Sequence, residues 1–390
     1  MNGSPERNAR SRLTGRATPE ATAARAPGQA RLGATGLSVS RLGFGTYRVD
    51  DHTPSQADAL ARALRSGCNL IDTSTNYTDG GSERCVGAVL HALASEGALG
   101  RHEIVVVSKL GYVQGTNLRM AVERERQGRP FADMVHYMDG CWHCIHPEFL
   151  EDQLERSLER LGLETLDVCL LHNPEYFLSD AAQRGLGPLP ALRDEFYRRL
   201  HDAFEYLESQ VEAGRIGSYG VSSNTCVLPA EDGEATSLTR MMEAARAAGG
   251  NEHRFRVLQL PLNLIESGGV LETNNAGKTV LTLAAEKGLG VLVNRPLNAI
   301  HGHGIVRLAE LRDGSNRGAV WQLTELLDPA LPEESRDEPL SRKALWVLAS
   351  TPGVSCVLLG MRRPEYVDDA MPVTEWPLLE DVGPAFRAFL

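Results

Sequence analysis

Asp72 ends the apolar pair Leu70-Ile71, Tyr77 follows five residues later, and Gly80-Gly81 then opens a helical pattern. An acid and a phenol so spaced stand at the carboxyl end of one strand, where polar groups from neighbouring strands can meet them. Other short apolar runs end in Lys109 and His172, and Ser222, Gln259 and Asn294 close three more. A phenol with its ordinary pKa near 10 is a poor acid at neutral pH. A lysine ammonium beside it favours the phenolate and lowers that pKa, and an aspartate paired with the lysine holds the ammonium in place. A carbonyl oxygen set between the tyrosine and the histidine would be polarised for hydride attack. Tyr77 would supply the proton, and a cofactor must supply the hydride, since no side chain carries one. Each residue alone has an ordinary structural reading: Lys109 as a solvated strand end, His172 as a core imidazole, Asp72 as a helix cap. Their joint placement at strand ends is what points to a site.

From Leu32 onward, short apolar runs alternate with helical patterns, the signature of a parallel α/β sheet. Strands are expected over 42–45, 69–72, 104–109, 168–172, 216–221, 257–259, 291–294 and 354–359. Eight strands, each followed by a helix, predict a (β/α)8 TIM barrel, with catalytic groups at the carboxyl ends of the strands. An open doubly wound sheet is the alternative, and no G-x-G-x-x-G pattern follows the first strand to support it. Residues 36–40 read as a short amino-terminal hairpin arm. Thr53-Pro54-Ser55-Gln56 has the pattern of a capping box with proline at the first helical position. Leu150, Leu154, Leu158 and Leu161 form one stripe at helical spacing after Pro147. The connection 110–146 is read as irregular and, at that length, functional. Long connections also follow the fourth and seventh strands. In a barrel such loops shape the pocket, and subunit contacts are their other use.

The bulk properties exclude several classes. The 390 residues suffice for one large domain or two ordinary ones, and a formal charge of -11 argues against a nucleic-acid surface. No apolar run approaches the roughly 20 residues needed to span a membrane. Seven scattered cysteines do not make a disulfide framework, which suits a reducing, cytoplasmic setting. Residues 1–30 are rich in Ala, Arg, Gly and Pro, with few large apolar side chains, and are expected to be a disordered tail ahead of a single unit over 31–390.

The motifs carry a family resemblance. Asp72 with Tyr77, Ser82 and Glu83, then Val107-Ser108-Lys109, then Leu170-Leu171-His172-Asn173-Pro174 resemble the Asp, Tyr, Lys and His motifs of the aldo-keto reductase superfamily. The opening Leu32-Gly33-Ala34-Thr35-Gly36-Leu37 resembles that family's amino-terminal arm. The similarity runs from about residue 31 to about residue 370. It implies a barrel that binds extended NADP(H), or NAD(H), without a Rossmann domain, and acts on a small carbonyl or alcohol. It also implies a tetrad of Asp72, Tyr77, Lys109 and His172, with Tyr77 as acid and base. Ser222 and Gln259 match positions that hold the nicotinamide carboxamide. Gly360, Arg362 and Arg363 fall where the family binds the adenosine phosphate, and a guanidinium fork suits a 2′-phosphate. The chain departs from the pattern at Ser223, where the family often has asparagine, and at Asn294, where an aromatic commonly stacks on the nicotinamide. Ala370 and Tyr366 depart likewise in the last helix.

Two stretches stand outside this pattern. Cys141-Trp142-His143-Cys144-Ile145-His146 holds two thiols and two imidazoles, yet four ligands within six residues would strain the backbone around one ion. Trp142 and His143 are candidates for substrate contact, while His301 and His303 read as loop residues on the same rim. Against the oxidoreductase reading stand a nucleotide-sensing interaction module on the same barrel, and metal-assisted hydrolysis at the Cys/His stretch.

Overall fold

The computed structural model describes residues 12–26, 30–302 and 304–390. Each expected apolar run forms a strand: β1 (Leu42–Gly45), β2 (Leu70–Asp72), β3 (Val105–Leu110), β4 (Leu166–His172), β5 (Ile216–Ser222), β6 (Phe255–Pro261), β7 (Gly290–Asn294) and β8 (Cys356–Leu359). They pair in parallel in chain order, and β8 closes on β1. The helices after them are α1 (Pro54–Arg65), α2 (Gly81–Ser95), α3 (Pro147–Leu161), α4 (Leu189–Glu212), α5 (Leu238–Gly249), α6 (Val280–Glu286), α7 (Leu340–Ser350) and α8 (Pro364–Ala370). The architecture is the (β/α)8 barrel.

Both faces of every strand are covered, which is why the strands read as nearly continuous apolar runs. Side chains alternate between the two faces. Leu70, Val105, Val107, Val168, Leu170, Val257, Leu292, Cys356 and Leu358 share the inner cluster, while Ile71, Val106, Cys169, Leu171, Leu258 and Val293 belong to the outer one beneath the helices. Counting two onward from the last inward apolar residue gives Asp72, Lys109, His172, Gln259 and Asn294. The same alternation that packs the barrel therefore carries these five to its inner carboxyl rim. On β5 the inward predecessor of Ser222 is Gly220, where a Cβ would overlap the Val257 carbonyl. The leucine stripe of α3 is buried to 1% exposure or less. Each such leucine contributes roughly 1.5–3 kcal/mol.

The opposite end of the barrel is plugged. The arm pairs Ala30–Arg31 with Ser38–Val39, and Leu32, Leu37, Val39 and Ala17 join the inner cluster.

Three expectations are corrected. Within the expected tail, residues 12–26 pack on the barrel: Leu13 bridges Leu163, Thr18 caps the helix Pro19–Arg25, and the Ala17 amide donates to Asp167 Oδ1 at 2.7 Å. Asp167 is buried with Arg101 at 2.7 Å and also accepts from the Val106 amide. The segment is held by backbone hydrogen bonds and small side chains, which a count of large apolar residues overlooks. Residues 1–11 and 27–29 lie outside the described ones. The capping box does not form, because Asp50 competes for it: its amide donates to Gln56 Oε1 at 2.7 Å and its carboxylate accepts from Thr53 Oγ1 at 3.1 Å. The connection 110–146 is structured, with a helix Gly115–Arg126 and a three-stranded antiparallel sheet of Tyr112–Val113, Cys141–His143 and Val135–Met138. Its strands are two to four residues long, too short for alternation to reveal.

The other long connections carry a helix Tyr176–Arg184 after β4, and a hairpin Asn298–His301/Gly304–Arg307 with a helix Arg317–Leu327 after β7. Among the described residues no helix is long and apolar enough to cross a membrane.

Candidate active site

Lys109 is fully buried, and a buried ammonium needs an anion and hydrogen-bond acceptors. It has them: Nζ lies 2.7 Å from Asp72 Oδ2 and donates to the Thr73 carbonyl at 2.9 Å. Its third donor reaches Tyr77 Oη at 3.1 Å. The backbone delivers the phenol through a turn in which Thr78 (φ 48°) and Asp79 (φ 53°) are left-handed, a costly conformation for a β-branched residue. Thr78 Oγ1 donates to the Val49 carbonyl at 2.7 Å, and Asp79 accepts from the Thr116 amide at 2.9 Å. These contacts tie the turn down and leave the Tyr77 ring 4.8 Å from the lysine nitrogen.

His172 completes the group, its ring edge-on to Tyr77 with centroids 5.8 Å apart. The structure thus brings Asp72, Tyr77, Lys109 and His172 into one cluster. A second cluster adjoins it. Gln259 Nε2 donates to Asp72 Oδ1 at 2.8 Å, while Gln259 Oε1 accepts from Ser222 Oγ at 3.1 Å and Asn294 Nδ2 at 3.4 Å. Both oxygens of Asp72 are therefore engaged, and the buried Asn294 Oδ1 has no partner among the described residues.

The electrostatics follow from burial. It works against the charge of Lys109, but Asp72 and Tyr77 outweigh it and hold the lysine above its usual range. Burial also raises the Tyr77 phenol, and Lys109 pulls it down without overcoming that effect. The expected lowering of the tyrosine pKa is thus corrected: the ammonium restrains the rise. Burial, then Lys109, then His143 keep His172 far below the ordinary imidazole value, hence neutral.

Ser223 does not join the rim. Its Oγ is buried 3.0 Å from Thr236 Oγ1, within the loop after β5. Gly360, Arg362 and Arg363 follow β8 as expected, with Arg362 half-buried and Arg363 exposed at the start of α8. Neither guanidinium has a hydrogen-bond or ion-pair partner among the described residues.

The Cys/His stretch serves packing. His143 is 1% exposed and, held neutral by burial at a pKa of about 4, donates from Nε2 to the His172 carbonyl at 2.7 Å. It thus positions His172 rather than facing solvent. Cys144 packs with Val113, Ala121, Phe131 and Phe149, Trp142 lies against His136, and His146 caps α3. His301 is exposed on the hairpin, and His303 lies outside the described residues.

Sequence reasoning missed the aromatic wall. Tyr112 stands edge-on to His172 with centroids 4.5 Å apart, donates to Tyr176 Oη at 2.9 Å, and Tyr137 stacks on Tyr176. On the other side the exposed Tyr47 meets Tyr77 edge-on. Tyr47 and Tyr112 each come two residues after a strand, a position that marks the rim in a barrel. Glu175 was missed too. Burial pushes its pKa up to about 7 while one oxygen accepts from the Asn224 amide at 2.7 Å.

Comparison with known proteins gives consistent results. The model of the Aldo/keto reductase family matches residues 41–389. An NADH-specific methylglyoxal reductase of Escherichia coli is 31% identical over 152 residues, 36% of this chain and 40% of that protein. An NADPH-dependent D-xylose reductase of Meyerozyma guilliermondii is 28% identical over 48% of this chain and 50% of that protein. The matches to these two thus span half or less of the relatives' length. A D-threo-aldose 1-dehydrogenase of a Pseudomonas species is 26% identical over 89% of this chain and 95% of its own. Among solved structures, the holo form of an aldo-keto reductase from Bacillus halodurans superposes with a TM-score of 0.60 at 19% identity, covering 92% of this chain and 95% of the other. An aldo/keto reductase from Klebsiella pneumoniae in complex with NADP and acetate gives 0.55 at 21% identity, covering 91% and 92%.

Proposed function

The chain belongs to the aldo/keto reductase family, and we propose that it interconverts a small carbonyl compound and its alcohol with NADP(H) or NAD(H), using Tyr77 as general acid and base. The observation that carries this reading is the buried relay from Asp72 through Lys109 to the Tyr77 hydroxyl. A protonated, fixed lysine beside a phenol does little for packing that a methionine would not do. It stabilises the phenolate left after proton donation. The relatives named for methylglyoxal, D-xylose and D-threo-aldose point to small aldehydes and sugars as the first substrates to try.

The residues present fit a nicotinamide cofactor. Asn294 Oδ1 is a buried acceptor without a partner among the described residues, beside Gln259 and suited to a carboxamide. The Arg362 and Arg363 guanidinium groups, unpaired among the described residues, lie near Gly360 in the chain and are suited to a phosphate. When bound, the cofactor supplies the hydride. In the reduction direction Tyr77 donates its proton to the carbonyl oxygen, Lys109 stabilises the phenolate, and neutral His172 orients the oxygen. Tyr112 and Tyr176 keep water from the His172 side.

Alanine at Arg362 should weaken NADPH binding roughly tenfold through loss of a charge-assisted contact. NADH binding should be unchanged, as read by nucleotide fluorescence titration. Equal losses for both nucleotides would remove the 2′-phosphate assignment.

The raised tyrosine pKa sets the pH profile. Oxidation needs the phenolate, so its kcat/KM should climb with pH toward and beyond about 10. Reduction needs the phenol and should stay flat from about pH 7 to 9. Stopped-assay profiles in both directions check this, and an oxidation plateau near neutrality would contradict it.

The competing reading, a nucleotide-sensing module, draws on the commitment of Gln259 to Asp72 and the turned-away Ser223. Fluorescence titration with NADPH followed by turnover of a carbonyl panel separates the two. Binding with turnover supports the enzyme, binding without turnover supports the module, and no binding removes both. The seven free, buried thiols fit the reducing, cytoplasmic setting.

A further inference from the structure

Four rings stand edge to edge in a row, Tyr77, His172, Tyr112 and Tyr176, with successive centroids 5.8, 4.5 and 5.3 Å apart. The hydrogen bonds at its far end have a fixed direction. Tyr112 is buried, and its oxygen accepts from Asn173 Nδ2 at 3.2 Å. A buried hydroxyl proton needs an acceptor, and among the described residues Tyr112 has one, Tyr176 Oη at 2.9 Å. Tyr176 therefore accepts from Tyr112, and its own proton has no acceptor among the described residues. Burial raises the Tyr176 phenol, so that proton stays on at neutral pH. The ring is half-buried and held in place: Tyr137 stacks on it at 4.4 Å and His143 meets it edge-on at 5.8 Å. The wall then returns to Tyr77. Cys141 lies by both Tyr112 and Tyr176 and is hydrogen-bonded by Gln114, whose Oε1 accepts from Asn76 Nδ2 at 3.0 Å. Asn76 directly precedes Tyr77.

We propose that Tyr176 determines substrate specificity: its phenol donates a hydrogen bond to a second substrate oxygen, a hydroxyl carried beyond the reacting carbon. The site then takes open-chain polyhydroxy aldehydes, and their alcohols, in preference to plain aliphatic ones. This rests on the carbonyl–alcohol reading of the same site. A substrate with its reacting oxygen between Tyr77 and His172 can extend along the row past Tyr112, and on that path Tyr176 carries the unspent proton. A hydroxyl there accepts it. A methylene in its place displaces the water that would otherwise take the proton and leaves the phenol unpaired. Because Tyr176 is half-buried, the discrimination is that of one ordinary hydrogen bond. Asn173 and Tyr112 are positioning residues, acting through the direction they impose on Tyr176.

The test compares the wild type with Tyr176→Phe in reduction of D-xylose and of pentanal, which has the same carbon count and no hydroxyl. Each aldehyde is compared between the two proteins, so the small open-chain fraction of the sugar cancels. Phenylalanine keeps the stacking on Tyr137 and the edge contact with Tyr112. Tyr176→Phe should raise KM for D-xylose roughly 3- to 10-fold, as expected for one hydrogen bond, with kcat within about twofold and both constants for pentanal unchanged. Unchanged pentanal kinetics also show that the variant is folded. A wild type that reduces other carbonyl compounds but not D-xylose, an unchanged KM for D-xylose in Tyr176→Phe, or equal changes for the two aldehydes would overturn the proposal. The reading beneath it fails differently: a protein that binds nucleotide and turns over no carbonyl compound would sink the oxidoreductase reading and the sugar preference together.

Discussion

Methionine in place of Lys109 should lower stability by about 3–5 kcal/mol, the cost of leaving one partner of a buried ion pair uncompensated. The reason is local. Asp72 is 4% exposed, and without the ammonium its carboxylate would keep only the Gln259 amide at 2.8 Å. The same change should remove nearly all turnover, because the phenolate of Tyr77 loses its stabilising cation. The two effects separate in a double variant. Asp72→Asn together with Lys109→Met should recover much of the stability, since no lone charge remains, but none of the activity. Denaturant unfolding and single-turnover assays on the three proteins read both quantities. Recovery of activity in the double variant would show that Lys109 serves only to neutralise Asp72.

Phenylalanine at Tyr77 should lower kcat/KM by a factor of about 10² to 10⁴, the range for loss of a positioned general acid. Stability should change by about 1 kcal/mol or less. The ring is partly exposed and packs edge-on against Tyr47 and His172, contacts that phenylalanine keeps. The lost hydroxyl leaves Lys109 with Asp72 and the Thr73 carbonyl still in place. Nucleotide affinity should be unchanged, and the residual oxidation should lose its rise with pH. A variant retaining more than a tenth of the activity would assign the proton to another group.

The barrel and the convergence of Asp72, Lys109 and His172 at its rim were legible because one physical rule writes both. Two-residue alternation buried on both faces gives apolar runs, and on five strands the next inward position, at the rim, is polar. That is why Asp72, Lys109, His172, Gln259 and Asn294 could be read from strand ends. Tyr77 was legible from its spacing and the glycines behind it. Where the rule does not reach, the reading failed or stopped. The sheet around Tyr112, Val135 and His143 is made of strands too short to show a period. Residues 12–26 are held through Asp167, a contact spanning 150 positions between Ala17 and its acceptor that no local pattern records. The tyrosine pKa was misjudged because spacing shows which charges are near a group, whereas burial depends on the whole fold. His143 looked like a loop residue facing substrate for the same reason: its partner, the His172 carbonyl, is backbone, and backbone leaves no mark in a sequence.

In the proposed reaction a carbonyl carbon receives its hydrogen from the nicotinamide while its oxygen receives the Tyr77 proton. The most direct measurement is mass analysis of the alcohol formed from a small aldehyde with NADPH or NADH carrying deuterium at the transferable ring position. The wild-type protein should place one deuterium on the carbinol carbon, and Tyr77→Phe should reduce the product yield about a hundredfold or more at equal nucleotide occupancy. An unlabelled alcohol, or label transfer undiminished in Tyr77→Phe, would contradict it.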